Sequence, residues 1–172
     1  LDQVLAVTGV NTFITTGTIW EHLDFNLDLP LFADVLVRQA VNLAIDRREL
    51  IEKALKNAAF PAYTDTHPYS WAYLALPQQP VRNLQQAKEL LQAAGWQPGY
   101  DGIQALSGRR LSFTVQLPDN DKPRELAAET IARQLREAGI EMRVQRVAAK
   151  AFFGEILPNR RFEAVLFAWV NS

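Results

Sequence analysis

The sequence predicts an α/β domain built on a mixed sheet with flanking helices, and three features carry that expectation. From Leu111 onward, stretches of period-two alternation exchange with stretches of helical period: strand 111–117, helix 122–138 closed by Gly139, strand 141–147, short helix 149–157, strand 163–169. This is a βαβαβ unit. Its last strand, with Ala164-Val165-Leu166-Phe167-Ala168-Trp169, is apolar on both faces and belongs in the middle of a sheet. Ahead of the unit lie one more alternating strand and three helices with signals at their ends. At 172 residues the chain fits a single domain, able to hide roughly two-thirds of its unfolded surface.

The opening stretch 4–19 is apolar but rich in Thr and Gly, and it is shorter than the about 20 residues of a membrane span, so it reads as extended or loop structure. At 20–27, Leu23, Phe25 and Leu27 alternate with His22, Asp24 and Asn26, giving a strand with one polar face that Pro30 ends. Asp34 is the N-cap of a core-facing helix in which Val37, Ala40, Val41, Ala44 and Ile45 recur at helical spacing. Asp46 followed by Glu49 starts a second helix, through Lys56, in the manner of a capping box. Its four-apart pairs Glu49 with Lys53 and Glu52 with Lys56 make a solvated charged face.

A long connection without periodicity follows, carrying Pro61, Pro68, Pro77 and Pro80 together with Phe60, Tyr63, Tyr69, Trp71 and Tyr73; such connections are often functional. Asn83 then caps a helix at 83–94, with Gln86 at its third position and Gly95 placed to end it. The segment 95–110 reads as turn-rich with a small hairpin. Strands 111–117 and 141–147 alternate through Ser112, Thr114 and Gln116 and through Arg143 and Gln145, so they are half-exposed strands flanking the last one. Right-handed crossovers place both helices of the unit on one side of the sheet if the strands progress in one direction.

Composition narrows the functional classes. Hydrophobic residues make up 48% and charged residues 22%, and the formal charge is −1, which marks neither a nucleic-acid nor an anionic-lipid partner. Cysteine is absent, which removes disulfides, thiolate metal sites and a cysteine nucleophile. His22 and His67 are the only histidines and stand at no recognised ligand spacing with Asp24 or Asp65, so no metal and no cofactor is expected. Asp65, His67 and Ser70 lie close together, but no nucleophile-elbow pattern surrounds Ser70, and no catalytic residue is assigned.

The segments Trp20-Glu21-His22-Leu23-Asp24-Phe25-Asn26, Val37-Arg38-Gln39-Ala40-Val41-Asn42-Leu43-Ala44-Ile45-Asp46-Arg47-Arg48-Glu49-Leu50 and His67-Pro68-Tyr69-Ser70-Trp71 resemble, in wording and order, the extracellular solute-binding proteins of family 5. These are the peptide, nickel and oligosaccharide receptors of ABC importers. The resemblance continues through Ala87-Lys88-Glu89-Leu90-Leu91-Gln92-Ala93-Ala94-Gly95-Trp96, the helix ending at 134–140, and 162–169, so it covers almost the whole chain. Its specificity lies in order and spacing, above all at 35–51, and it carries function by analogy.

The resemblance implies one lobe of a two-lobed periplasmic-binding-protein-like fold, with 1–19 a lead-in near the hinge and 20–172 a partial second lobe. It implies non-catalytic capture of a peptide or other small organic cargo in the cleft between two lobes, with this chain supplying one wall. It also implies hand-over to an ABC permease, no nucleic acid and no direct membrane insertion. The implied location is periplasmic or extracellular, with lipoprotein anchoring upstream of Leu1 left open. The alternative is the effector-sensing domain of a bacterial transcription regulator, which is similar in lobe architecture. A basic helix-turn-helix upstream would mark that alternative, as a signal peptide or lipoprotein cysteine would mark transport.

Ligands of open α/β sheets bind beyond the carboxyl ends of the strands, here Trp169, Val170, Asn171 and Ser172. In the peptide receptors the chain resembles, a Trp at this place is followed three residues later by an Asp that pairs with the peptide's α-ammonium group. Here that residue is Ser172, whose hydroxyl supplies no charge to a buried ammonium, which argues against a free-amine dipeptide unless an acid follows. Trp169 has two readings, ligand wall and end-of-strand core residue. Tyr69, Trp71 and Tyr73 either offer stacking surface with hydroxyl handles or pin their own loop to the core. Asn26, with His22 and Asp24, lines the cleft or meets solvent. The candidate ligand-binding residues are therefore Trp169, Asn171, Ser172, Trp71, Tyr69, Tyr73 and Asn26, while Arg38 and Asp46 are expected to serve helix ends or ion pairs.

Overall fold

The computed structural model describes residues 7–9, 11, 17–66, 68, 70–75 and 81–170. In chain order, β1 (Ile19–Phe25) is followed by a single-turn helix α1 (Pro30–Ala33), α2 (Val35–Ala44), α3 (Arg47–Leu55) and α4 (Leu84–Ala93). A small ribbon of β2 (Gln97–Pro98), β3 (Gln104–Leu106) and β4 (Arg109–Arg110) leads into β5 (Ser112–Pro118), α5 (Lys122–Glu137) and β6 (Glu141–Val147). One turn of helix, α6 (Ala149–Ala151), continues as a π turn (Phe152–Ile156) before β7 (Ala164–Val170).

The main sheet has the order β1-β7-β5-β6. β7 runs antiparallel to β1 and parallel to β5, and β5 runs parallel to β6. β7 is therefore interior, as its two apolar faces require. Its neighbours are β1 and β5, whereas β6, expected beside it, is an edge strand next to β5. Pro30, expected only to end the first strand, opens α1; its ring suits a first helical turn, where no N–H is needed.

Strand alternation gives the sheet two unlike faces. Leu23, Phe25, Phe113, Val115, Leu117, Ala164 and Leu166 meet the apolar stripes of α2, α4 and α5 in the main core. Val165 and Phe167 point the other way and form a small second cluster with Phe152 of the π turn. The two crossover helices thus lie on opposite faces. The expectation of one side assumed strands progressing in one direction, but β5 to β6 steps outward and β6 to β7 steps back across β5, so two right-handed crossovers must take opposite sides.

The helix starts follow their capping residues. Asp34 accepts from the Leu36 N–H, Asp46 from those of Arg48 and Glu49, Asn83 from that of Gln86 and Asp121 from that of Arg124. Arg38 serves a helix end, donating from Nη1 to the Phe32 and Ala33 carbonyls that close α1. Glu49 does not complete a capping box. The Asp46 N–H instead donates to Gln134 Oε1 at 3.0 Å, and Glu49 turns to α5, accepting from Gln134 Nε2 at 2.6 Å. It also pairs with Arg133 and Lys53, each at 2.5 Å. Hydrogen bonds from Arg133, Lys53 and Gln134 hold its pKa down at about 2. The charged face of α3 is therefore in part a tie between helices, which its four-apart spacing alone does not reveal.

Candidate functional site

The register of β7 against its neighbours shapes the carboxyl end of the sheet. Val115 and Gln116 lie beside Ala164 and Val165, and β5 stops two residues later at Pro118, while β7 runs on to Val170. Residues 168–170 therefore outrun β5 and pair with β1, opposite Glu21, Trp20 and Ile19. The result is a two-stranded ribbon overhanging the sheet at the end where open α/β sheets bind ligands. An isolated two-stranded ribbon is marginal in water, so this one must be braced by side chains.

It is braced on both faces. On the helix side, Arg124 at the start of α5 forks onto Glu21 with bonds of 2.6 and 3.1 Å and also pairs with Asp121 at 2.9 Å. The hydrogen bond that Arg124 donates to Glu21, opposed by burial and joined by the charges of both carboxylates, raises the guanidinium's pKa. On the other side, the cross-strand partners Trp20 and Trp169 and the partners His22 and Phe167 form a ring cluster. The His22 imidazole lies parallel to the Trp20 indole, 4.3 Å away and tilted by 5°. It is 4.4 Å from Phe167 and 6.5 Å from Trp169, and Trp169 stands edge-on to Phe167 at 5.0 Å and 75°. Phe152 and Phe153 of the π turn close on Phe167 from below, at 5.6 and 6.2 Å.

His22 is 9% exposed and sits beneath these rings, so it neither lines an open cleft nor meets solvent as the sequence reading had it. Nδ1 lies 3.2 Å from the Trp20 carbonyl oxygen, and Nε2 lies 3.2 Å from Asp24 Oδ2. The second contact is an ion-pair approach without hydrogen-bond alignment, which leaves Nε2 with no well-aligned acceptor. Burial opposes a charge on the ring, but the Asp24 carboxylate, the Trp20 carbonyl and Glu21 together outweigh it and raise the imidazole's pKa above 6.5. Trp169 is half exposed, and Ile19, Val170 and Phe153 are exposed beside it. The overhang therefore presents apolar surface with aromatic support.

Of the other predicted positions, Trp71, Tyr73 and Asn26 have surroundings of their own. Asn171, Ser172 and Tyr69 lie outside the described residues. Trp71, in the connection between α3 and α4, is 98% exposed, and Tyr73 is partly buried with its N–H on the Ser70 carbonyl. Asn26 follows β1, beside the start of β7, roughly 20 Å along the strands from Trp169. Its side chain donates to the Arg160 and Phe162 carbonyls and accepts from the Asp28 N–H, so it fastens the lead-in to β7. It also lines a groove of about 430 Å³ in which Thr114, Gln116, Gln145 and Glu163 meet the apolar Leu29 and Phe162 on the open face of the sheet. Alternation along β1 already puts Trp20 and His22 on one face, but neither this groove nor the meeting of that pair with Trp169 and Phe167 follows from the sequence, because both depend on which strands pair.

The layered sheet with helices on both faces defines the class, an α/β fold of the kind whose ligands bind beyond the carboxyl ends of the strands. The whole chain, residues 1–172, matches the family described as bacterial extracellular solute-binding proteins, family 5 Middle, and belongs to that family. It is 33% identical over 156 residues to the oligopeptide-binding protein AppA of Bacillus subtilis, covering 88% of this chain and 28% of that protein. It is 36% identical over 133 residues to Protein XP55 of Streptomyces lividans, covering 77% and 24%. The solved structure of the Bacillus subtilis protein in complex with a nonapeptide superposes with a TM-score of 0.84 at 31% identity, over 91% of this chain and 32% of that one. That of NikZ from Campylobacter jejuni in complex with Ni(L-His) gives 0.79 at 27%, over 90% and 30%. The chain thus spans between about a quarter and a third of the length of the relatives it matches. No helix among the described residues is long and apolar enough to cross a membrane.

Proposed function

We propose that residues 20–172 form part of the second lobe of a receptor for an ABC importer and supply one wall of the cleft in which cargo is held, with 1–19 as the lead-in from the hinge. The observation that carries this reading is the overhang of β1 and β7, which presents exposed apolar surface at the strand ends in a chain that belongs to solute-binding family 5. Capture is non-catalytic: the lobes close over the cargo, and the closed form is presented to a permease at the outer face of the membrane. Trp169, with Asn171 and Ser172 beyond it, faces the cargo, and the Tyr69, Trp71 and Tyr73 loop offers stacking surface from the long connection. Asn26 serves the far end of the sheet and stands apart from this wall.

Peptide cargo is the first candidate, because AppA is an oligopeptide-binding protein and its structure holds a nonapeptide. The test is native mass spectrometry of the intact parent protein, purified without refolding, with released material identified after denaturation. A retained peptide or other small organic solute supports the proposal and names the cargo class. A consistently empty protein carrying a basic helix-turn-helix upstream would replace it with the regulator reading.

A further inference from the structure

The overhang is held from its helix side by an ion pair that does not touch the indoles, since Arg124 grips Glu21, whose side chain points away from Trp20 and Trp169. What orients the two indoles lies on the other face. There Trp20 lies flat on the His22 ring, and Trp169 stands over Phe167 with His22 behind it. A flat ring at this point is sufficient for packing, and a phenyl group would satisfy it. The chain has an imidazole instead, its side chain 6% exposed, with a carboxylate at 3.2 Å and one nitrogen lacking an aligned acceptor. Burying such a group costs more than burying a hydrocarbon ring unless its charge or dipole is used.

We propose that His22 is a positioning residue for the cleft wall: braced by Asp24, its buried imidazole fixes the Trp20 and Trp169 indoles at the end of β7 and does so most firmly as the imidazolium. This rests on the reading of Trp169 as a wall of the cleft. An imidazolium lying face to face with an indole gains a cation–π attraction that neutral imidazole lacks. The charged groups facing His22 are Asp24 and, through space, Glu21, both on β1. β7 and the π turn contribute the rings of Phe167, Trp169 and Phe152 to the cluster, while Lys150 of α6 and Glu155 of the π turn are exposed. The fold raises the imidazole's pKa, so the tightly ordered wall is present in mild acid and loosens as pH rises through a value above 6.5. Solute held against the indoles is then bound about two- to fivefold more tightly below that pH than above it.

The test uses the intact protein labelled with 5-fluorotryptophan, with the two resonances assigned through Trp20→Phe and Trp169→Phe. Both should move with pH along one curve whose midpoint lies above 6.5. Asp24→Asn should lower the midpoint, and His22→Phe should leave two sharp resonances that no longer titrate. Resonances that titrate unchanged in His22→Phe, or that do not titrate in the wild type, overturn the inference. The cleft reading is tested separately in the same sample by adding solute released from the purified protein. A Trp169 resonance indifferent to saturating solute sinks that reading, whatever the pH curve shows.

Discussion

Replacing Phe167 by alanine tests whether the open face of the sheet is held together as described. Phe167 is 1% exposed and lies in ring contact with His22, Phe152, Phe153 and Trp169. Burial of a phenylalanine contributes about 2–3 kcal/mol, and each lost ring pair removes a further fraction of about 0.5–1.5 kcal/mol. Phe-to-Ala changes in cores cost about 3–5 kcal/mol. Among the described residues the buried part of this cluster consists of Phe152, Val165 and Phe167, with half-buried Leu157 and Phe162 against it, so the hole can partly collapse. The lower end, about 3 kcal/mol, is therefore expected. Phe153→Ala is the control: its ring is 47% exposed, so about half the burial is at stake, roughly 1–1.5 kcal/mol. In urea denaturation followed by far-ultraviolet dichroism, with both variants keeping the wild-type slope, Phe167→Ala should lose about 2 kcal/mol more than Phe153→Ala. An equal or reversed ranking would show that the second cluster is not packed beneath β7, and the account of the braced overhang would go with it.

Other consequences are equally direct. Gly139→Ala should cost about 2–4 kcal/mol, because a Cβ there meets the Gly102 carbonyl oxygen at 3.0 Å and Gln104 Cγ at 2.9 Å on a backbone with φ of +82°. Gly108→Ala, at φ +79° with open space around it, should cost only the conformational part, about 1–2 kcal/mol; equal losses in thermal melts would refute the clash. Glu49→Gln tests the tie between α3 and α5. The Glu49 carboxylate titrates at about 2 in the fold against 4.5 when unperturbed, so its contribution is present above pH 4.5 and fades as pH falls toward 2. Discounted for solvent screening, the gap between wild type and variant should be about 1 kcal/mol at pH 7 and vanish near pH 2, and a gap independent of pH would remove the ion-pair account. Finally, this chain alone should bind the solute of the intact receptor at least about 100-fold more weakly, since half a cleft leaves much of the ligand in water. Comparable affinities by calorimetry would overturn the two-lobed reading.

What was legible in the sequence was local. Asp34, Asp46 and Asn83 begin their helices because a short side-chain acceptor can serve orphan N–H groups, and that signal needs no partner. The interior place of β7 was legible because residues 164–169 are apolar in both alternating sets, and only a strand covered on both faces tolerates that. Pairing was not legible. That β1 lies beside β7, and that β6 steps to the edge, is decided by how layers close over the whole domain, so the sides of the two crossovers were misjudged with it. The same limit hid the site. Trp169 was visible as the end of an apolar strand, but Trp20 and His22 sit far away in sequence and join it only through the register of an antiparallel pair.

On the proposed cleft wall, that register also decides how charge would meet cargo at the overhang. Its carboxylates among the described residues already face cations of the chain: Glu21 and Asp121 hold Arg124, and Asp24 stands against His22. An ammonium group brought to this end would have to displace a bidentate guanidinium from Glu21 or compete with the buried His22 ring for Asp24. Either exchange breaks a charge-assisted contact to form a comparable one and gives little net attraction. Indole faces remain, and they attract a cation only weakly when it keeps part of its water. The overhang is therefore suited to ring, hydrocarbon and amide surface. A free amino terminus seated near Trp169 would need a carboxylate supplied from outside the described part of this ribbon.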